Sequence, residues 1–141
     1  MIRFAMYFVL ASLSSVGLAY DCDDSPLIQT KKRDGTTIGL FVAQAQFDAA
    51  PKWEPTDGEP PLSISAAHEL VLAWAAESYG RYDDVSVREI SLTSTFCFET
   101  RHWFYRFDLV PEIDGNKLMG SGNWAAVLMD GTVIGPRRIE E

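Results

Sequence analysis

Two periodicities divide the second half of the chain into one helix and a series of strands. From about Ser63 to Tyr79 apolar residues recur at helical spacing, with Ser63 as a suitable N-cap and Gly80 as a suitable stop. Beyond Val85 the period becomes two, which is typical of strands with one buried face. In the clearest strand one parity holds the large apolar side chains Trp103, Tyr105, Phe107 and Leu109. We therefore expect the helix to pack against that face of a sheet.

A four-stranded meander is predicted to follow the helix. Its strands are expected at residues 85–98, 101–110, 121–129 and 132–136. The parity changes near Arg88 and Glu89, which predicts a β-bulge at that point. Asp130 and Gly131 form a two-residue turn signal between the last two strands. The predicted fold class is thus α+β, with one amphipathic helix on a curved four-stranded antiparallel sheet.

The residues before the helix, 20–62, are predicted to form a polar tether, a strand and a stiff loop. Thr36 to Phe47 alternates between apolar and other residues, which predicts an additional strand at an edge of the sheet. The stretch from Ala49 to Pro61 is rich in proline, which lacks the backbone donor that helices and ladders need. We expect residues 20–141 to form one domain, in which 63–141 carry the helix and the meander.

Residues 1–19 have the organisation of a cleavable secretory signal. Arg3 supplies a positive start, an apolar stretch runs from Phe4 to Leu13, and Gly17 and Ala19 are the small residues that precede cleavage before Tyr20. The alternative is an uncleaved anchor, but the stretch is shorter than the roughly twenty apolar residues that span a membrane. The sequence therefore predicts a secreted or periplasmic protein without membrane attachment after cleavage.

The compartment bears on the two cysteines, Cys22 and Cys97. Disulfides persist in exported proteins, so these residues are predicted to form a bridge between the N-terminus and the middle of the domain. The alternative is two unpaired thiols, with Cys97 as a small apolar filler in its strand.

Composition excludes some partners. Hydrophobic residues make up 47% of the chain and charged residues 23%, which is ordinary for a globular domain. The formal net charge is −8, whereas binding to phosphate backbones or anionic lipid requires a basic face. We expect neither nucleic acid nor a membrane as partner.

The order of elements resembles the cystatin-like folds and, more narrowly, the PepSY-type domain of exported bacterial proteins. The Ala-rich helix of residues 66–79 is similar to the opening helix of that module. The strand of residues 103–110, WFYRFDLV, is similar to its central strand. The segment of residues 127–134, VLMDGTVI, is similar to its closing hairpin. The long proline-rich N-terminal segment departs from the pattern. The resemblance implies a non-catalytic role in binding or in peptidase inhibition.

The candidate binding residues are two tryptophans and one polar strand face. Trp53 and Trp124 are the best candidates for exposed aromatic anchors, because tryptophan is favoured at binding hot spots, although burial in the core is the alternative. His102, Arg106 and Asp108 share one face of a strand, where they form a charge pair, orient the imidazole, or simply face solvent.

Catalytic and metal chemistry find little support in the sequence. No GxSxG, HExxH, Walker or Rossmann motif occurs. A nucleophile pair of Cys97 and His102 is conceivable, but a disulfide to Cys22 would consume the thiol. His68 has no named companions that would complete a ligand set, so we expect it at the boundary of the helix and the sheet. We predict no metal and no cofactor.

Three functions remain open at the level of sequence. The first is an exported non-catalytic module that binds a protein or peptide partner and modulates a peptidase. The second is a cone similar to NTF2-like folds, with an apolar pocket lined by Trp74, Trp103 and Tyr105 and with His68 or His102 at its mouth. The third is a structural envelope protein that assembles by strand addition at the edge formed by residues 36–47.

Overall fold

The computed structural model describes residues 22–140, so the predicted signal of residues 1–19 lies outside the described part. The helices are α1 Gln44–Ala49 and α2 Ile64–Ser78, with a short 3-10 turn at Pro55–Asp57. The strands are β1 Ile28–Lys31, β2 Thr37–Leu40, β3 Asp84–Cys97, β4 Thr100–Ile113, β5 Asn116–Lys117, β6 Trp124–Leu128, β7 Val133–Ile134 and β8 Arg137–Ile139. They form two antiparallel sheets, which confirms the α+β fold class.

Helix α2 forms where the sequence predicts it. The Ser63 hydroxyl accepts a hydrogen bond from the backbone N–H of Ala66 at 3.2 Å and so caps the first turn. The buried stripe consists of small and branched residues: Ala67, Val71 and Ala75. The helix is held to the sheet at its N-terminal end, where the Tyr105 hydroxyl donates a 2.7 Å hydrogen bond to the carbonyl of Leu62. None of the helices within residues 22–140 is long and apolar enough to cross a membrane.

The larger sheet has five strands instead of the predicted four. Its order is β3-β4-β6-β7, and β5 pairs with the end of β4. The additional strand arises because Asp114 and Gly115, both at positive φ, turn the chain back on β4. The predicted bulge is confirmed, because the β3–β4 register shifts between Val87 and Glu89.

The turn before β7 is longer than predicted. Gly131 donates to the carbonyl of Leu128 at 2.9 Å, and Leu128 in turn donates to the carbonyl of Thr132, so three residues form the loop. Gly131 has a φ of 88°, which fits the glycine position of a type I turn followed by a bulge. Asp130 accepts from the N–H of Thr132 at 2.9 Å and fixes this conformation.

The predicted edge strand at residues 36–47 is wrong in extent and in position. Only Thr37–Leu40 is a strand, and it lies in the centre of a separate three-stranded sheet in the order β1-β2-β8. Its second neighbour is β8, from the C-terminal tail, beyond the predicted last strand. The end of the predicted strand is instead α1, whose first turn is closed by a 3.0 Å hydrogen bond from the N–H of Ala43 to Gln46 Oε1.

The larger sheet therefore has a hydrophobic core on each face. On one face Tyr105, Phe107 and Leu109 pack against α2, as the strand parity predicts. On the other face Phe104 packs with side chains of β2 and α1. The second core contains Cys22, Leu40, Val42, Phe47, Cys97, Phe104, Trp124, Ala126 and Leu128. The molecule thus has a helix, a sheet, and a second layer of small elements on the opposite side of that sheet.

The predicted disulfide is present between Cys22 and Cys97. The two Cα atoms are 5.5 Å apart, and both residues are buried in the second core. The bridge joins the beginning of the N-terminal layer to the last residue of β3. The thiol of Cys97 is therefore consumed, and this rules out the nucleophile pair with His102.

Candidate functional site

A groove runs between α2 and β3 and contains two depressions. The volumes are about 690 Å³ near the N-terminal end of α2 and about 360 Å³ near its C-terminal end. These sizes lie within the range that ligand sites occupy. We call this surface the α2–β3 groove.

Apolar side chains form much of the groove. The larger depression is lined by Glu59, Pro60, Ser63, Ile64, Ser65, His68, Glu69 and Ile90. The smaller depression is lined by Leu72, Ala75, Ala76, Tyr79, Gly80, Tyr82, Asp83, Asp84 and Val85. Ile64 is 55% exposed and Leu72 is 37% exposed, although both lie on the main helix of the domain. The helix therefore carries apolar surface that its own core does not cover.

The narrow buried stripe of α2 explains why the groove is open. Apart from Trp74, the helix contacts the sheet through alanine and valine, so Ile64 and Leu72 at its flank remain outside the contact. His68 lies at this flank, with its ring centroid 6.5 Å from that of Phe107. The predicted boundary position of His68 agrees with this arrangement.

Tyr79 forms one wall of the smaller depression. Its hydroxyl donates to Asn123 Oδ1 at 3.4 Å, and its ring lies 5.9 Å from that of Trp74. Burial, with a contribution from neighbouring Tyr82, raises the pKa of Tyr79 to about 12. The phenol therefore stays protonated at physiological pH and acts as a neutral hydrogen-bonding group.

The outer edge of β3 borders the groove, and within residues 22–140 no strand pairs with it. A two-residue turn joins β3 to β4 and makes Cys97 and Thr100 a hydrogen-bonded pair. By alternation, every second residue of β3 directs its backbone N–H and C=O away from β4. These residues are Ile90, Leu92, Ser94 and Phe96. We call them the β3 edge.

The side chains of the β3 edge point toward the α2 side of the sheet. Ile90 pairs with Phe107 and Leu92 with Tyr105, and directly opposed residues share a face. Leu92 is 39% exposed and Phe96 is 50% exposed. The apolar stripe thus continues along β3 beyond the helix, next to unpaired backbone groups.

The predicted polar face of β4 is divided in two by the second layer. Arg106 and Asp108 do lie together, with Nε and Oδ1 3.7 Å apart, and they belong to a cluster with Arg88 and Glu89. Arg88 contacts Asp108 at 3.3 Å and Arg106 contacts Glu89 at 3.8 Å. These charges lie together on the face of the sheet opposite the groove.

His102 is not part of that cluster, and the prediction of a solvated face is wrong at this position. Its ring is stacked on Phe47 of α1 with a centroid distance of 4.7 Å and an interplanar angle of 18°. Burial lowers the pKa of His102 below its ordinary value, and this effect is opposed by Asp48 and reinforced by Lys52. The imidazole is therefore a neutral packing group under α1.

We expect His102 to make the protein less stable as the pH falls from about 7.5 to about 5.5. The lowered pKa means that the unfolded chain takes up this proton more readily than the folded protein, so acid favours unfolding. Urea denaturation at both pH values measures the effect. His102→Phe keeps the stack on Phe47 and should reduce the pH dependence. Equal pH dependence in His102→Phe and the wild type would contradict the assignment.

The two candidate tryptophans are buried, so neither is an exposed anchor. Trp53 is 8% exposed and lies 6.2 Å from Trp103 in an edge-to-face arrangement on the α2 side. Trp124 is 6% exposed and belongs to the core on the other face. The alternative of core tryptophans therefore applies to both, since these side chains hold the two layers to the sheet.

The geometry also separates the parts of the predicted cone. His68 contacts the sheet on the α2 face and His102 on the opposite face, so the two histidines do not share one cavity. Tyr105 is fully buried and Trp74 lies against Gly135, and these side chains fill space between α2 and the sheet. Within residues 22–140 no group of three or more His, Cys, Asp or Glu is arranged to hold a metal ion.

Apart from His68, the residues of the groove and the β3 edge were not singled out as candidate site residues from the sequence. The available signal was the length of β3, which has 14 residues and one change of parity at its bulge. Nothing in that pattern states which side of the strand lacks a partner. In comparisons with known proteins, no family model, no curated protein and no solved structure matches the chain.

Proposed function

We propose that the protein is a non-catalytic binding module that takes up an extended segment of a partner protein. The segment adds as a strand to the β3 edge and lies along the α2–β3 groove. The observation that carries this proposal is the unpaired edge of a long strand directly beside an apolar groove. In strand addition, backbone hydrogen bonds supply affinity and alternate side chains supply specificity.

The lack of edge protection on β3 supports the proposal. Sheets usually block a free edge with lysine, proline, a short strand or a covering loop. Between Glu89 and Cys97 the strand contains no lysine, proline or glycine, and two apolar side chains are exposed there. A β-bulge can also protect an edge, and β3 has one at Arg88. This bulge leaves the backbone groups of the following residues unobstructed.

The length of β3 suits a peptide of about ten residues. An extended chain rises about 3.3 Å per residue, so such a peptide matches most of the 14 residues of β3. Its alternate side chains would face Ile64 and Leu72 of the helix. The remaining side chains would face solvent, which allows a partner to present a surface loop or a terminus.

The place of action in this proposal is outside the cytoplasm. The Cys22–Cys97 bridge is compatible with an oxidising compartment, and the predicted signal of residues 1–19 would deliver the protein there. The resemblance to the PepSY-type module adds peptidase modulation as the specific role, because peptidases and their inhibitors meet through extended segments. A partner in the envelope or the extracellular space is therefore part of the proposal.

Selection from a displayed library of random decapeptides tests the proposal. We expect selected peptides to protect the backbone amides of Ile90, Leu92 and Ser94 from hydrogen exchange. Ser94→Pro removes one outward N–H without breaking the ladder to β4 and should weaken binding about tenfold or more. Ser94→Ala keeps that N–H and should bind as the wild type does.

A second measurement leaves the protein unchanged. Two peptides are compared, one N-methylated at the odd and one at the even backbone positions, so that each loses the N–H donors of one edge. Only the peptide whose methylated edge faces β3 should lose binding. Equal binding of both peptides, or protection confined to surfaces other than β3, would overturn strand addition.

A further inference from the structure

The α2–β3 groove carries negative charge at both ends. Glu59 and Glu69 line the larger depression, and Asp83 and Asp84 line the smaller one. The residues that line the two depressions include no lysine and no arginine. Within residues 22–140, none of these four carboxylates takes part in an ion pair. The ends of the groove thus carry carboxylates without an ion-pair partner, although Asp83 accepts a 2.7 Å hydrogen bond from the backbone N–H of Asp114.

The arginines nearest in sequence make their closest contacts with groups other than the carboxylates of the groove. Arg81 lies over the ring of Tyr82 at 4.8 Å and donates to its hydroxyl at 2.7 Å. Arg88 contacts Asp108 on the opposite face of the sheet. Arg101 lies over the ring of Phe96, which pairs with it near the far end of β3. Arg81 thus adds one positive charge beside the smaller depression, but within residues 22–140 none of the three arginines forms an ion pair with a carboxylate of the groove.

Each depression also has apolar side chains, Ile64 and Ile90 in the larger one and Leu72 and Val85 in the smaller one. We infer that the occupant is a cationic extended peptide, with lysine or arginine on both sides of a short apolar centre. This inference rests on the proposed function and adds the chemistry of the partner. Complementary charge at a solvent-exposed rim mainly sets selectivity and association rate, while the backbone pairing supplies the common affinity.

Three fluorescent decapeptide probes with one alternating threonine–valine centre test the inference. Their ends carry two lysines, two serines or two glutamates on each side. By fluorescence anisotropy we expect the lysine probe to bind at least tenfold more tightly than the glutamate probe, with the serine probe between them. The difference should shrink strongly at about 1 M salt, where charges are screened beyond about 3 Å.

Substitutions in the groove locate the charge effect. The double variant Glu69→Gln with Asp84→Asn should lose most of the preference for lysine over serine. Both side chains are exposed, and neither takes part in an ion pair, so the fold should tolerate the change. Glu77→Gln is the matched control, because Glu77 is exposed on the same helix but lines neither depression.

A fourth probe separates the groove from general attraction to an acidic protein. It keeps the lysine ends but has proline at consecutive central positions, which removes backbone N–H donors on both edges of the peptide. We expect it to lose binding. Binding equal to that of the parent lysine probe would overturn the inference, since the attraction would then come from the net charge of −8 alone.

The remaining outcomes distinguish the two proposals. If the serine probe binds and the lysine and glutamate probes bind equally well, the cationic occupant is wrong and strand addition stands. A preference for the glutamate probe would likewise show that the cationic occupant is wrong and that strand addition stands. If none of the three parent probes protects β3 from hydrogen exchange, the proposed function itself is wrong.

Discussion

Replacing Cys22 and Cys97 together with alanine should lower the free energy of unfolding by about 4 kcal/mol. The bridge closes a loop with a sequence separation of 75 residues. The chain-entropy model predicts that such a loop restricts the unfolded chain by about this amount. Because single domains are stable by only about 5–15 kcal/mol, this is a large part of the total.

The position of the bridge predicts where the loss should be concentrated. Cys22 precedes β1, so the bridge holds the start of the N-terminal layer against the end of β3. Without it, that layer is attached through the β2–β8 ladder and the contacts of Phe47 and Val42 with the second core. We expect faster hydrogen exchange in β1 and β2, with α2 less affected.

Urea denaturation under oxidising and reducing conditions measures the effect. The reduced wild type should resemble the double variant, and reductant should not change the double variant itself. A loss below about 1 kcal/mol, or uniform acceleration of exchange in α2 and β1, would show that the second layer is held without the bridge.

Local patterns account for the part of the fold that was predicted correctly. Helix α2 follows from its period and from the Ser63 cap, and both lie within one contiguous segment. The bulge at Arg88 follows from a change of parity within one strand. The inward face of Trp103, Tyr105, Phe107 and Leu109 follows from strict alternation. Each of these signals requires only residues that are close in sequence.

The second layer was missed because its elements are short and its contacts are distant in sequence. Helix α1 has six residues, fewer than two turns, so it shows no helical period. Strand β2 is paired by β8, which begins about a hundred residues later and has three residues. The polar residues Arg106 and Asp108 made the second face of β4 look solvated, although this layer covers the same face at His102.

The candidate site depends on the same distant information. Whether β3 has one neighbour or two is a property of the strand order, and alternation along β3 is the same in both cases. The exposed Leu92 and Phe96 would be ordinary core residues in a sheet with another strand beside β3. An accurate prediction of the groove therefore required the topology as well as the sequence pattern.

Phe47→Ala should destabilise the protein by about 3–5 kcal/mol, the usual cost of removing a buried phenylalanine. Phe47 is 2% exposed, and its ring contacts His102 at 4.7 Å and Phe104 at 5.9 Å. The substitution leaves a cavity between α1 and β4 and exposes the imidazole.

Phe98→Ala is the control for Phe47→Ala, because Phe98 is 42% exposed on the β3–β4 turn. It should cost far less in urea denaturation. The large loss at Phe47 should be accompanied by a smaller pH dependence between about pH 7.5 and 5.5, since an exposed His102 recovers an ordinary pKa. Similar losses for both variants would mean that α1 does not seal the second core. Only the α2 face of the larger sheet would then contribute strongly to stability, and the N-terminal layer would be held in place mainly by the disulfide.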